Sequence, residues 1–158
     1  DPLRPDFAAL EPHCAPGDPV YCAGSPVALP RGWRVHAQAL LHKMVWEAPL
    51  PTDEDDAGAG FDVRPLRTEH LPQILDLVAR TQPGPFGPRT IELGDYLGCF
   101  QGPRLVAMAG ERMFAPPLRE ISGVCTDPGF RGRGLAARLI RVLVRRAMQR
   151  GETPPSCT

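Results

Sequence analysis

The sequence has no apolar run long enough to cross a membrane and no closely spaced cysteine pair. A membrane-spanning helix needs about 18 consecutive apolar residues, and no stretch of the 158 residues approaches that length. The cysteines are odd in number and scattered along the chain: Cys14, Cys22, Cys99, Cys125 and Cys157. The lack of any Cys-x-x-Cys pair excludes most zinc ribbons and disulfide scaffolds. We therefore expect free thiols, no bound metal, no membrane partner and a reducing compartment such as the cytoplasm.

The chain also lacks a net charge, but its two parts are charged in opposite senses. Residues 1–60 carry nine acidic and four basic side chains, whereas residues 61–158 carry nine acidic side chains and fourteen arginines. Seven of those arginines lie between Arg131 and Arg150, a window that contains no acid. Such a cationic surface fits a phosphate-bearing ligand or a nucleic acid. A solvated, arginine-rich helix face is an equally good interpretation of the charge alone.

The first sixty residues differ in composition from the rest. Nine of the twenty prolines lie there, and the one helix-like pattern spans Val35 to Trp46. Residues 52–60 form an acidic, glycine-containing run that is typical of a linker. We predict a proline-rich extension and linker over residues 1–60, and a folded domain over residues 61–158.

Periodicity beyond Gly60 predicts a regular order of elements. The predicted order begins with a strand at Phe61–Pro65, a helix from Thr68 onward and a short helix at Arg89–Leu93. Three strands follow, at Tyr96–Gln101, Arg104–Arg112 and Arg119–Thr126, and a long helix covers Gly134–Arg150. Gly102-Pro103 is typical of a tight hairpin turn. This order predicts an α/β fold with a mixed sheet.

The most informative segment runs from Thr126 to Ala136, with the sequence Thr-Asp-Pro-Gly-Phe-Arg-Gly-Arg-Gly-Leu-Ala. A strand ends, a turn follows, and a loop rich in arginine and glycine opens the long helix. The first N–H groups of a helix have no internal partners and lie at the positive end of its dipole. Gly132 and Gly134 allow an anion to approach the backbone closely, while Arg131 and Arg133 add mobile positive charge. The segment predicts a phosphate or pyrophosphate site.

Two common phosphate-binding loops are excluded by the same residues. The segment has no Gly-Lys-Ser/Thr ending, so it is not a P-loop. It also lacks the third glycine of the dinucleotide fingerprint, and its strand follows a hairpin instead of opening a βαβ unit.

The hexapeptide from Arg131 to Ala136 is similar to the Arg/Gln-x-x-Gly-x-Gly/Ala signature of GNAT-type N-acetyltransferases. The preceding Val-Cys-Thr strand, the Asp-Pro turn and the aromatic before the loop also match, and the resemblance covers about Phe61 to Pro154. It implies a GNAT-like mixed sheet with flanking helices and direct transfer of acetyl from acetyl-CoA to an amine. The acceptor implied is an amine-bearing small molecule or a protein or peptide.

The resemblance also implies roles for particular residues. The strand backbone at Val124, Cys125 and Thr126 would bind the pantetheine arm, and an N–H near Val124 would stabilise the tetrahedral oxyanion. The pyrophosphate would be held by the loop residues Arg131, Gly132, Arg133, Gly134, Leu135, Ala136 and Ala137. Acceptor-binding residues would lie on the connection from Thr81 to Arg89, for which a closing turn is the competing interpretation.

A general base is needed because the attacking amine must be neutral. Glu111 and Glu120 lie on the neighbouring strands and are the catalytic candidates, with Tyr96 a weaker one. The competing interpretation of both carboxylates is a salt bridge at the surface or in the hairpin. Cys125 is interpreted as a small core residue, because a nucleophilic thiol needs a base and His70 is the only histidine beyond residue 60.

The sequence departs from the family pattern at its end. Family members continue after the arginine-rich helix with another strand, a further helix and two terminal strands, whereas this sequence closes on Gly151–Thr158. We therefore expect an incomplete domain whose strand Arg119–Thr126 is an exposed edge. The alternative function is a non-catalytic binding module, or an inactive fragment, whose arginine-rich helix binds nucleic acid or an acidic partner.

Overall fold

A computed structural model describes residues 6–22, 29–38, 40, 44–52 and 60–157, with the backbone alone for residues 153–157. The chain divides into two compact units, Asp1–Leu40 and Leu41–Thr158. This division lies before the acidic run, so residues 44–52 belong to the second unit. The predicted boundary near residue 60 stays a prediction.

The described residues form three α-helices and six strands. In chain order they are α1 (Phe7–Leu10), β1 (Met44–Val45), β2 (Asp62–Pro65), α2 (Leu71–Thr81), β3 (Tyr96–Gln101), β4 (Arg104–Ala115), β5 (Leu118–Thr126), α3 (Leu135–Gln149) and β6 (Thr153–Cys157). Short 3-10 turns at Thr68–His70, Thr90–Glu92 and Pro128–Phe130 join some of them. None of the helices described is long and apolar enough to span a membrane.

The first unit contains α1 and one aromatic contact. The Asp6 carboxylate accepts a hydrogen bond from the Ala9 N–H at 3.1 Å and so caps α1. The Phe7 and Trp33 rings pack with centroids 4.9 Å apart. The helix predicted over Val35–Trp46 is wrong for the residues described: residues 35–38 and 40 have no regular structure and residues 44–45 form a strand, while residues 39 and 41–43 lie outside the described part.

The second unit is built on one six-stranded mixed sheet, which confirms the predicted fold class. The strand order is β1-β6-β5-β4-β3-β2. Only the β5–β6 pair is parallel, and the other neighbours are antiparallel. The β3–β4 hairpin turns at Gly102, whose φ of +57° suits glycine.

The two long helices cover opposite faces of this sheet, because alternate strand residues point to opposite sides. On one face Leu139 and Leu143 of α3 pack with Ile121 in a buried cluster. On the other face Ile74 and Leu77 of α2 pack in a second cluster, which includes Phe100, Met108 and Cys125.

Strand β5 is paired on both sides over its first half, contrary to the expectation of an exposed edge. Strand β6 pairs with it at Leu118, Glu120 and Ile121. Among the described residues, 122–126 of β5 pair only with β4. The second half of β5 therefore leads, with an open edge, into the loop before α3.

Candidate functional site

A cleft of about 490 Å³ lies where β5 ends and α3 begins. Its walls include all ten residues for which cofactor contact is predicted, residues 124–126 of the strand and 131–137 of the loop and helix. Thr81 and Pro83 at the end of α2, together with Phe130, complete the lining. The structure thus brings the predicted set together around one opening, and the role of each residue in binding stays a prediction.

The start of α3 offers backbone N–H groups to this cleft. Gly134 is the N-cap residue of the helix, has φ +72°, and provides no side chain to cap the first turn. Gly132 has φ +74°. A Cβ added at either glycine would meet no protein atom within 4 Å, so the space beside both is open. An uncapped helix start next to open space is a favourable site for an anion.

Arg131 and Arg133 are exposed but make local contacts with the loop. The Arg131 Nε donates to the Thr126 carbonyl oxygen at 3.3 Å. The Arg133 guanidinium lies 5.1 Å from the centroid of the Phe130 ring. Both cations therefore lie close to the cleft.

Asp127 fixes the start of the loop through four contacts. Its carboxylate accepts a hydrogen bond from the Gly129 N–H at 2.9 Å and pairs with Arg104 at 2.7 Å and with Arg80. Its own N–H donates to the Val106 carbonyl oxygen at 2.8 Å. These partners belong to α2, β4 and the loop itself, so Asp127 ties the anion loop to the sheet and to a helix on the opposite face.

We expect Asp127→Asn to lower the free energy of unfolding by about 1–3 kcal/mol, because two arginines lose a nearly buried anionic partner. The hydrogen bond from Arg80, followed by that from Gly129, holds the pKa of the carboxyl below its ordinary value of 3.8. The contribution of the ionised carboxylate to the free energy of unfolding is complete above that ordinary pKa and is lost as the pH falls through the lowered pKa. Urea unfolding of the wild-type protein and of Asp127→Asn should show a clear difference in the free energy of unfolding at pH 7, and this difference should shrink below pH 3.8. A difference independent of pH would contradict the stabilising role of the Asp127 carboxylate.

A β-bulge interrupts β5 beside the cleft. The ladder with β4 is regular at Cys125–Met108 and at Ser122–Gly110 and shifts between these pairs. Two residues of β5, Gly123 and Val124, therefore lie opposite one residue of β4, and Gly123 has φ +62°. The bulge reverses which residues face each side, so Cys125 packs on the α2 face and Val124 on the α3 face.

The thiols that the structure describes do not form a reactive site. Cys14, Cys22, Cys99 and Cys125 are free. Burial raises the pKa of Cys125, and burial likewise raises the pKa of Cys99 to about 11. Both thiols are therefore protonated near neutral pH, which agrees with the interpretation of Cys125 as a core residue. No group of histidine, cysteine, aspartate and glutamate in the described part of the chain could hold a metal ion.

The two candidate carboxylates lie on opposite faces of the sheet. Glu111 is 3 % exposed, and its carboxylate is 2.6 Å from the Arg150 guanidinium of α3. Arg119 lies 3.7 Å away, and both arginines also bind Glu152. Hydrogen bonds from Arg119 and Arg150 hold the pKa of Glu152 at about 2. Glu111 is thus one member of a network of charged side chains beneath the end of α3, which Asp95 and Arg146 extend.

Glu120 occupies the face on which α2 packs. It follows Arg119 and precedes Ile121, both of which face α3, so its side chain points the other way. Its carboxylate pairs with Arg112 at 2.7 Å, and the residue is 7 % exposed. The charges of Arg112 and Glu120 both act on the hydroxyl of Tyr96. The structure therefore separates the two candidates that the sequence treats alike.

Sequence reasoning missed several residues that shape the site. The sequence presents Asp127 only as part of a turn and gives no signal for its partners Arg80 and Arg104. Phe86 was included only within the loop Thr81–Arg89, where the structure packs its ring edge-on against Tyr96 with centroids 5.7 Å apart. The spacing of charges along the chain carries no signal for such contacts, because the partners come from distant elements.

Comparisons with known proteins agree with this geometry. Residues 96–157 match the family model described as FR47-like protein. A putative acetyltransferase from the GNAT family of Novosphingobium aromaticivorans is 42 % identical, with 73 % of this chain and 49 % of that chain covered and a TM-score of 0.63. The sequence of no curated protein matches. The chain belongs to the GNAT-type family of N-acetyltransferases, as its sequence predicts.

More distant solved structures share the fold. The ribosomal-protein-S18-alanine N-acetyltransferase of Escherichia coli is 20 % identical, with 58 % of this chain and 61 % of that chain covered and a TM-score of 0.50. A predicted acetyltransferase from Clostridium acetobutylicum, solved with acetyl-CoA, is 17 % identical, with 62 % and 80 % covered and a TM-score of 0.51. The chain spans about half the length of its Novosphingobium relative.

Proposed function

We propose that the protein transfers an acetyl group from acetyl-CoA to an amine by direct attack in a ternary complex. The observation that carries this proposal is the cleft of about 490 Å³ lined by strand residues 124–126 and loop residues 131–137. One wall offers an extended backbone and the other offers the start of a helix. An elongated ligand with an anionic end fits such a pair of walls.

The helix start and its loop hold the pyrophosphate in this proposal. Gly132 and Gly134 leave open space beside the first N–H groups of α3, and the helix dipole favours an anion there. Arg131 and Arg133 stand at the same opening and contribute long-range attraction.

The bulge prepares the backbone of β5 for the thioester. A bulge takes backbone groups out of the regular ladder, and this one is centred on Gly123 and Val124. We assign to the Val124 N–H the stabilisation of the oxyanion that forms on the thioester carbonyl when the amine attacks. A strand N–H is a preorganised donor, so this stabilisation needs no rearrangement during the reaction.

Glu120 is the general base in this proposal, receiving the proton of the incoming ammonium through water. Its face of the sheet also presents Tyr96 and the Phe86 loop. Glu111 faces α3 and is bound by Arg150 and Arg119, so we assign it a structural role.

A titration with acetyl-CoA, followed by a thiol-release assay with a panel of primary amines, tests the function. Saturable binding and amine-dependent release of CoA are the expected results. Saturable binding without any transfer would indicate a CoA-binding module that is not a transferase. The lack of both binding and transfer would overturn the proposal.

The nucleic-acid alternative is less well supported by the contacts of the arginines. Arg150 binds Glu111 and Glu152, and Arg138 donates to the Phe61 carbonyl oxygen at 2.9 Å. The window without acids in the sequence is thus partly paired with acids from other elements. Binding of an oligonucleotide with a steep salt dependence, unaffected by changes at Gly134, would favour that alternative.

A further inference from the structure

The side chain of Tyr96 lies across one face of the sheet, where two glycines, Gly110 and Gly123, leave room for its ring. Its ring lies over Gly110 of β4, where an added Cβ would stand 2.1 Å from the ring atom Cδ1. The same edge of the ring, nearer to the hydroxyl, reaches the bulge of β5, because a Cβ at Gly123 would stand 3.4 Å from the ring atom Cε1. The ring thus starts on β3, passes over β4 and ends beside β5, one residue from Val124 of the cleft.

The hydroxyl at the end of this ring is buried without a partner in the described part of the chain. Tyr96 is 2 % exposed, and its hydroxyl oxygen has no hydrogen-bond partner among the described residues. Buried tyrosine hydroxyls ordinarily find a partner, since an unpartnered polar group destabilises the folded state. Burial raises the pKa of Tyr96 to about 12, so the hydroxyl is protonated and able to donate near neutral pH.

The groups around the hydroxyl belong to the acceptor side of the proposed reaction. The Arg112–Glu120 ion pair is close enough for both of its charges to act on Tyr96. The Phe86 ring packs edge-on against the Tyr96 ring at 88°. Phe86 lies on a segment that starts at the cleft with Pro83. A carboxylate, a hydroxyl donor and a covering aromatic therefore share this face of the sheet.

We propose that the Tyr96 hydroxyl donates a hydrogen bond to an oxygen of the acceptor, so that the enzyme selects primary amines with a carbonyl or hydroxyl oxygen close to the nitrogen. Amino-acid amides and peptide N-termini have this chemistry. The acceptor displaces the edge of Phe86 and gives the hydroxyl the partner that it lacks among the described residues. This inference rests on the proposed transferase function and adds the acceptor class to it.

The test compares Tyr96→Phe with the wild-type protein on two amines, glycinamide and propylamine. A site built to hydrogen-bond an oxygen discriminates strongly against an analogue without it. We expect Tyr96→Phe to lower kcat/KM for glycinamide by about tenfold or more while that for propylamine changes less than about twofold. The melting temperature should stay the same or rise, because no protein hydrogen bond is removed.

Tyr21→Phe is the matched control. Tyr21 is the chain's other tyrosine, is 74 % exposed and belongs to the first compact unit. Removal of the Tyr21 hydroxyl should leave both kcat/KM values and the KM for acetyl-CoA unchanged. An equal loss on both amines with Tyr96→Phe, a raised KM for acetyl-CoA alone, or no change at all would overturn the acceptor assignment.

A spectroscopic measurement separates this inference from the proposed function. Tyrosine labelled with ¹³C at Cζ gives two resonances, which Tyr21→Phe assigns. Glycinamide added with CoA should shift the Tyr96 resonance and leave that of Tyr21 in place, whereas propylamine should shift neither. If the wild-type protein transfers no acetyl group, the proposed function fails. The Tyr96 resonance then decides the inference, since a shift supports a hydrogen-bonding site and its absence overturns it.

Discussion

Replacing Gly134 with valine is expected to weaken acetyl-CoA binding at least about a hundredfold. This factor corresponds to the loss of two hydrogen bonds to a charged group, at about 1.5–3 kcal/mol each. Gly134 caps α3 with φ +72°, and an added Cβ there meets no protein atom within 4 Å. The branched side chain would therefore extend into the cleft and hold the pyrophosphate away from the N–H groups of the helix. Isothermal titration with acetyl-CoA measures the effect.

Gly151→Val provides a matched control for this substitution. Gly151 follows the other end of the same helix, has φ +75° and also has open space around its Cβ position. Both variants carry the strain of valine in a left-handed conformation, which thermal unfolding measures for each. Only Gly134→Val should lose binding. Retention of binding by Gly134→Val, or an equal loss in both variants, would contradict the assignment of the loop as the anion site.

Element positions could be predicted where the chain carries strong stop signals. Strand β3 was predicted over its observed bounds because Gly102-Pro103 ends it in a turn. Helix α3 was predicted to within one residue at each end, since glycines stand at both ends, Gly134 and Gly151. The cluster of cleft residues followed from the same logic, because a strand, a turn and a helix start are adjacent in the sequence.

The strand β6 and the segment before it illustrate the limits of local patterns. Thr153–Cys157 contains two prolines, which weaken any strand prediction, yet it pairs with β5 and with β1. The apolar spacing in Val35–Trp46 favours a helix, but Met44–Val45 forms the strand that pairs with β6. In both cases pairing with a distant strand overrides the local preference.

The details of the site depend on contacts that span long stretches of sequence. Asp127 lies 47 residues from Arg80 and 23 from Arg104 along the chain. The bulge at Gly123 decides which residues of β5 face each helix, and a single glycine in a strand does not reveal its register. For this reason Glu111 and Glu120 were equivalent in the sequence and became distinct only once the faces of the sheet were known.

This distinction leads to opposite expectations for the two glutamates. Glu120→Gln should lower kcat by about 10²–10⁴-fold, the range typical of a lost general base, with acetyl-CoA binding retained. Glutamine keeps the size of the side chain and an oxygen that faces Arg112, so the fold should be preserved. Steady-state thiol release with the best amine of the panel measures kcat.

Glu111→Gln should act on stability and leave catalysis almost unchanged. Glu111 is nearly buried between Arg150 and Arg119. The loss of stability should be about 1–3 kcal/mol, because Arg150 and Arg119 lose one of two carboxylate partners and keep Glu152. Urea unfolding should show this loss, while kcat at a temperature well below the melting point should stay within about twofold of the wild-type value.

The pH profile separates a lost base from a general loss of activity. A variant without a base depends on amine that is already neutral in solution, so its rate should rise with pH until the pKa of the amine is reached. Glu120→Gln should therefore recover part of its activity at high pH, and the wild-type protein should gain much less over the same range. A constant ratio of the two rates at every pH would show that Glu120 does not remove the proton. A large loss of kcat in Glu111→Gln with a recovery at high pH would transfer the role of base to the α3 face of the sheet.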